Sequence, residues 1–365
     1  MSDDTSPQAR PSGLLPTPAR RDEPTRGGAL REFLRRLMRG ENLRRAEAAQ
    51  LLDALLDEEA TDAQIGATLV ALATKGETVE ELAGLASAMR ARAVRVGAAH
   101  SCFIDTAGTG SSRAKTFNVS TAAAFVIAGA GLPVAKHGSR AATSRSGSAD
   151  VLAALGVNVS STPGVSESCL NGIGICFMFA PLYHGATARV AAVRRELGVH
   201  TTFNLLGPLT NPAGAPRQLI GVWHETLVEP VALTLNALGT ERAWVVHGQD
   251  GLDEVTLDGA TKVGEVVGGS VRVFAVRPED FGLSEAALDG LRGGDAEQNA
   301  RIIREILSGQ RRGAGRDLVV VNAAAALHVG GLAEDLKAAA RLAEQSIDTG
   351  AALDKLDKLV KASNE

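Results

Sequence analysis

Apolar residues recur at three- and four-residue steps in the first quarter of the chain, then in short continuous runs. Leu30, Phe33, Leu34 and Leu37 mark one helical face. Ala46 to Leu56 reads as a second helix. Thr61-Asp62 caps a third, Ala63 to Thr74, which stops at Lys75-Gly76; Thr78 caps a fourth, with Glu80 and Glu81 in its first turn. These elements predict a small helical bundle over 29–97. So short a bundle buries little area alone, so it needs another domain or subunit to pack on. From Ser101 the pattern changes. Short apolar runs at Phe103-Ile104, Pro133 to Ala135, Gly174 to Phe179, Leu219 to Trp223 and Ala243 to His247 alternate with alanine-rich helices. Val263 to Val273 reads as a hairpin turning at Gly268-Gly269.

That alternation predicts an α/β fold: a small N-terminal helical subdomain plus a large α/β domain (98–365), whose mostly parallel central sheet is flanked by helices. Ligand loops should gather at the carboxyl ends of the strands. A helix is expected to begin near His184, and the helices around 184–200 should pack on the bundle. Asp295 to Leu307, Leu318 to Leu327 and Ala333 to Val360 read as a helical packing layer rather than chemistry.

Composition narrows the class. The chain has 365 residues, 45% hydrophobic but only 3% aromatic, so its core must be built from Ala, Val and Leu. The net charge of −4 gives no general attraction to nucleic acid or anionic membrane. Cys102, Cys169 and Cys176 form no CxxC pair and read as reduced cytosolic thiols, predicting a cytoplasmic protein. No apolar run reaches membrane-spanning length. Residues 1–28 have no apolar period and are expected to be a disordered tail. The four acids among the first 23 residues argue against a transit peptide.

Three stretches carry candidate chemistry. In DTAGTGSSRAKTFNVST, Asp105 to Thr121, a strand runs into the glycine turn Gly108-Thr109-Gly110. Asn118, Ser120 and Thr121 are helix-capping types before an alanine-rich helix. A helix N-terminus with free N–H groups suits phosphate. The stretch is not a Walker A loop, because no Gly-Lys-Ser/Thr follows at the required spacing, and not GxGxxG, because Arg113 stands where the third glycine belongs. A second strand-loop-helix passage holds Lys136, His137, Gly138, Ser139, Arg140, Ser144, Arg145 and Ser146, with a helix starting near Ser148. Its cations, hydroxyls and glycines suit a polyphosphate. Far along the chain, Asp253 and Glu254 are adjacent carboxylates after a glycine turn. Alone they fit a solvated turn; with two phosphate loops they fit Mg²⁺, a hard cation that shares oxygens with substrate phosphates.

GTGxxxxxTFNVST, KHGxRxxxSxSGSADVLxALG, FxxLGPLTNPA and GLDE, in this order, resemble the anthranilate phosphoribosyltransferases, a branch of the nucleoside-phosphorylase-like glycosyltransferases. TDAQIGATLVALATKGETVEELAGLASAMR and GGDAEQNA extend the resemblance over about Leu34 to Gly331. It implies Mg²⁺-dependent transfer of 5-phosphoribosyl from phosphoribosyl diphosphate (PRPP) to the amine of anthranilate in tryptophan biosynthesis, releasing pyrophosphate. It also implies a homodimer through the bundle.

Position by position, the resemblance assigns Gly108, Ser111, Ser112, Thr116, Asn118, Val119, Ser120 and Thr121 to the first PRPP loop. Lys136, His137, Gly138, Ser139, Arg140, Ala141, Ala142, Thr143, Ser144 and Ser148 match the second. Ser120, Asp253 and Glu254 match the metal site. Gly108, Ser139, His184 and Arg194 match the acceptor site, where Arg194 meets the anthranilate carboxylate. No residue is assigned to proton transfer. The chain departs from the family pattern in having Ser111-Ser112 for Gly-Asp, Ser139 for Asn, HGAT at His184 to Thr187 for HPAM, and His200 for Arg. Two other readings follow: a paralogue acting on another small aromatic amine or acid, or a non-catalytic nucleic-acid-binding relative using Arg10, Arg20, Arg21 and Arg26.

Overall fold

The structure, a computed structural model, describes residues 28–110, 116–141, 146–287 and 291–365. Residues 1–27 of the expected tail, and Ser111, Ser112, Ala142, Thr143, Ser144 and Arg145, lie outside the described residues; Gly28, expected in the tail, already begins the first helix.

The described residues begin with four helices: α1 (Gly28–Met38), α2 (Arg45–Leu56), α3 (Asp62–Lys75) and α4 (Val79–Arg92). Thr61 and Thr78 each close a reciprocal cap. The Gln64 N–H donates to the Thr61 hydroxyl at 3.2 Å while Gln64 accepts from Thr61 N–H at 2.9 Å. Glu81 does the same with Thr78 and also accepts from Lys75 Nζ and Leu43 N–H, both at 2.8 Å. Asp62 is the first helical residue rather than part of the cap, where it faces the positive end of α3.

The α/β part follows as β1 (Ile104–Gly108), α5 (Val119–Gly129), β2 (Val134–Gly138), α6 (Ser148–Ala154), α7 (Pro163–Ile173) and β3 (Ile175–Phe179). Next come α8 (Ala180–Tyr183), α9 (Ala188–Leu197), α10 (Thr202–Leu209), β4 (Arg217–Gly221), α11 (Val228–Ala237), β5 (Arg242–Gly248), β6 (Thr261–Val267) and β7 (Ser270–Val276). The chain ends with α12 (Ala296–Leu307), α13 (Ala314–Val329), α14 (Leu336–Asp348) and α15 (Ala351–Asn364). A helix does begin near His184: it precedes a 3-10 turn, Gly185–Thr187, that leads into α9, and it also ends the short α8, which Pro181 starts a turn earlier. The helical stretch read over Ala333 to Val360 is two helices, broken at Gly350, which takes the left-handed φ of 77°.

One sheet has the order β3-β2-β1-β4-β5-β6-β7. The first five strands are parallel; the β6–β7 hairpin, turning at Gly268-Gly269 as the sequence predicts, adds antiparallel. Successive residues alternate between two cores. Leu219, Trp244 and Val246 face a core shared with α5 and α12–α15. Ile220, Ala243 and Val245 face a core shared with α2–α4 and α9–α11. The chain moves outward from β1 to β2 and β3, then returns across β1 to β4. The carboxyl end of β1 is therefore a topological switch point, where α/β sheets open a crevice.

Candidate active site

The first glycine turn grows from that switch point. Thr109 N–H donates to Gly221 O at 2.9 Å, and Trp223 N–H donates back to the Thr109 hydroxyl at 3.1 Å, so β1 and β4 stay joined beyond their ends. Asn118 precedes α5, but its side chain does not cap the helix. Instead Nδ2 donates to Ser146 O at 3.1 Å, across to the second loop. The freed N-terminus of α5 faces an acid: Ser120 N–H donates to Glu254 Oε1 at 3.2 Å, and the Ser120 hydroxyl also bonds Glu254. The hydroxyl of Thr121 is buried without a partner.

The second loop leaves β2 at Gly138, where a Cβ would lie 2.2 Å from Ser148 Oγ. Asp150 closes the loop, accepting from Ala141 N–H and Gly147 N–H, each at 2.9 Å, and from Arg140 at 3.0 Å. Burial raises the Asp150 carboxyl, but those N–H bonds and Arg140 outweigh it and hold it below the usual range. Lys136 is buried and turned back toward β1, its Nζ donating to Thr106 O at 2.5 Å. Burial lowers its pKa, opposed by Asp105 and Glu254. Asp105 accepts from His137 N–H at 3.1 Å, and burial pushes its carboxyl up to about 6.

His137 and His184 meet edge-on, ring centroids 5.2 Å apart. His137 Nδ1 lies 3.2 Å from Gly207 O, while Nε2 of both rings is buried without a partner. Burial, then His184, pushes the His137 imidazole down to about 3; burial also lowers His184.

Asp253 and Glu254 reach the site because Gly221 lets their backbone in: a Cβ there would lie 1.7 Å from Asp253 O. Asp253 Oδ2 sits 3.3 Å from where a Cβ on Gly108 would be, against the first turn. Burial, then the Asp253 carboxylate, pushes the Glu254 carboxyl up to about 8. Two adjacent half-buried acids, all oxygen donors, fit a hard divalent cation, whose charge would relieve their repulsion. Among the described residues no group of three His, Cys, Asp or Glu could hold a metal. A pair of carboxylates completed by water and substrate is the usual Mg²⁺ arrangement.

Arg194, on α9, donates Nη2 to Asn204 Oδ1 at 3.1 Å, with its guanidinium 5.5 Å from the Phe203 ring centre. Its Nε is buried without a partner, and burial lowers its pKa. His200 stacks on Trp223, ring centroids 4.5 Å apart, and does not line the cavity.

All of these groups converge. One cavity of about 470 Å³ is lined by every described residue that the sequence assigned: Gly108, Thr116, Asn118 to Thr121, Lys136 to Ala141, Ser148, His184, Arg194, Asp253 and Glu254. It is also lined by Met89 of the bundle and by Phe203, Asn204, Gly207 and Pro208 of α10, which sequence reasoning did not single out. The FNLLGPLT motif was visible, but which of its side chains turn toward a ligand depends on how α10 packs. Met89 carries no signal at all, being one apolar residue on a helix full of them.

A fold and site of this kind define a glycosyltransferase. The model of the glycosyl transferase family helical bundle domain matches residues 31–93, and that of the family's a/b domain matches 100–353. The anthranilate phosphoribosyltransferase of Moorella thermoacetica is 51% identical over 91% of this chain and 97% of its own. The crystal structure of the enzyme of that name from Thermus thermophilus superposes with a TM-score of 0.86 at 40% identity, covering 91% of this chain and 99% of that one. The Saccharomyces cerevisiae enzyme in complex with PRPP and Mg gives 0.84 at 28% identity, covering 92% and 98%. The same yeast enzyme with 4-fluoroanthranilate gives 0.83 at 25%, covering 93% and 98%. The chain belongs to the anthranilate phosphoribosyltransferase family.

Proposed function

We propose that this chain transfers 5-phosphoribosyl from PRPP to the amine of anthranilate, with Mg²⁺, releasing pyrophosphate. The observation that carries the reading is the convergence of two phosphate-type loops, a half-buried carboxylate pair and a half-buried arginine on one cavity. The likeness to enzymes of that name, one solved with PRPP and Mg, supports it.

The N-terminus of α5 and the second loop, closed by Asp150, receive the phosphates with backbone N–H groups and hydroxyls. Asp253, Glu254 and the Ser120 hydroxyl hold Mg²⁺, which neutralises the departing pyrophosphate. Lys136, in the cavity wall with its Nζ on Thr106 O, balances the charge of Asp105 and Glu254. Arg194 binds the acceptor carboxylate through its free Nε edge, held by Asn204 and Phe203. His184 and Ser139 flank that end. The C1–O bond to pyrophosphate breaks with its electron pair leaving, through an oxocarbenium-like state, and the amine lone pair forms C1–N. An aryl amine is neutral at pH 7, so orientation supplies the catalysis; the proton that the nitrogen sheds once C1–N has formed passes to solvent or to the departing pyrophosphate, and no described side chain is assigned to it.

The chain is read as two domains, 29–97 and 98–365, forming a cytoplasmic homodimer through the bundle. Among the described residues no helix is long and apolar enough to cross a membrane. Ser139 and Thr187 on the acceptor side favour testing a second reading, a paralogue for another aromatic acid.

The test is calorimetric titration of anthranilate into protein loaded with Mg²⁺ and a non-reactive PRPP analogue. We expect micromolar binding that weakens roughly tenfold or more in Arg194→Ala, since a hydrogen bond to a charged group contributes about 1.5–3 kcal/mol. Analogue binding without anthranilate heat would sink the acceptor assignment and keep the phosphoribosyl site.

A further inference from the structure

The GGDAEQNA stretch, Gly293 to Ala300, belongs to a helix-and-connector layer behind the site, and the mechanism gives it no task. Its contacts point forward. Thr116 pairs with Arg292 in an antiparallel bridge beside the first loop. Gly293 lies so close that a Cβ would fall 2.5 Å from Thr116 O and 2.9 Å from Phe117 Cα, so only glycine fits there. Asn299, on the first turn of α12, is 3% exposed. Its Oδ1 accepts from Gly294 N–H at 2.8 Å, fixing the connector. Its Nδ2 donates to Asn118 Oδ1 at 3.0 Å. Asn118 then has its own amide N–H₂ turned to Ser146 O, at 3.1 Å. The partners fix which end of each amide points where. A single chain of bonds runs from α12 through the first loop to the second.

We infer that Asn299 is a positioning residue for PRPP: acting through Asn118, it sets the spacing between the two loops that receive the phosphates. The inference rests on the PRPP reading of the cavity. A buried side-chain amide with both ends used specifies one arrangement of its neighbours. Here the neighbours are the connector at Gly294 and the end of the first loop at Asn118, and Asn118 in turn holds Ser146 of the second loop; no direct backbone bond joins the two loops among those described.

Asn299→Asp tests it. The aspartate can still accept from Gly294 N–H. Its other oxygen meets Asn118 Oδ1, acceptor against acceptor, so the Asn118 amide must turn over and release Ser146 O. In steady-state kinetics with Mg²⁺ we expect KM for PRPP to rise about tenfold or more. KM for anthranilate at saturating PRPP should stay within about twofold. In the ligand-free chain, hydrogen exchange should quicken in peptides spanning Gly147 to Leu152 while α12 stays as protected as in the parent.

An unchanged KM for PRPP, or a fall in kcat alone, overturns the inference, since lost active molecules lower kcat without moving KM. Unchanged exchange across Gly147 to Leu152 also overturns it. A parent protein that binds no PRPP would remove the functional reading, while the exchange measurement still decides whether α12 controls the second loop. Asn299→Ala, which buries no charge, covers the case in which the aspartate does not fold. It should give the same KM split, with faster exchange at the connector as well.

Discussion

At the residue scale burial pushes several of the site's groups toward their neutral forms. His137 is buried beside His184, and its imidazole is pushed down to about 3. In the unfolded chain an imidazole takes its proton near pH 6.5. Between these values the unfolded chain binds the extra proton, so stability falls as pH falls. The contribution is fully present above about pH 7 and is lost progressively below 6.5. One unit corresponds to about 1.4 kcal/mol for a fully shifted group, so pH 6.5 to 5.0 costs about 2 kcal/mol through His137. Urea unfolding of parent and His137→Asn at pH 7 and pH 5 measures this. The parent should lose about 2 kcal/mol more than the variant over that interval, and equal losses would rule out a buried neutral His137. The sequence revealed His137 as a loop residue after a strand. It could not reveal the ring it meets, because His184 comes from a different strand end and only the sheet order brings the two together. Asn118 is the reverse case. Its capping character was legible, but tertiary partners at Ser146 and Asn299 claim the side chain.

Elements position those residues through close backbone approach. Gly221 ends β4 with ordinary φ, so its need for glycine is steric: Asp253 O occupies the place of its Cβ. Gly221→Ala must push the Asp253-Glu254 turn away from β1. We expect it to destabilise by about 1–3 kcal/mol, the usual cost of overpacking. Calorimetry should show Mg²⁺-dependent PRPP binding weakened about tenfold or more, by loss of carboxylate placement. Gly172→Ala, on α7 with nothing within 4 Å of the new methyl, is the control and should be neutral or slightly stabilising. Native binding by Gly221→Ala would separate the acids from the metal site. Strand and cap positions at this scale were readable because period and cap chemistry are local. Thr61 and Thr78 cap as predicted, and the hairpin turns at Gly268-Gly269. Gly221 was not readable as special, since the group that excludes a side chain arrives from a loop beyond the next strand.

For the whole molecule the question is whether the bundle and the sheet behave as one. The bundle is too small to own a core, and it does not: Leu51, Leu52, Leu82 and Leu85 pack in the same cluster as Ile220, Val245, Val228, Val231 and Val266. Arg90, near the end of α4, donates to Leu209 O at 2.6 Å, tying the bundle to α10, which lines the cavity. Removing the bundle would leave one face of β4–β6 and α11 bare. Unfolding should therefore be a single event. Trp223 packs against the shared core and Trp244 lies in the other one, so indole fluorescence reports both faces while far-ultraviolet dichroism reports the helices. The two signals should give coincident guanidinium midpoints, as two-state unfolding requires. Trp223→Phe and Trp244→Phe, each leaving one reporter, should share that midpoint within the small shift of each substitution. An earlier helical transition, with Trp244 still native, would mean that the bundle melts off a stable sheet.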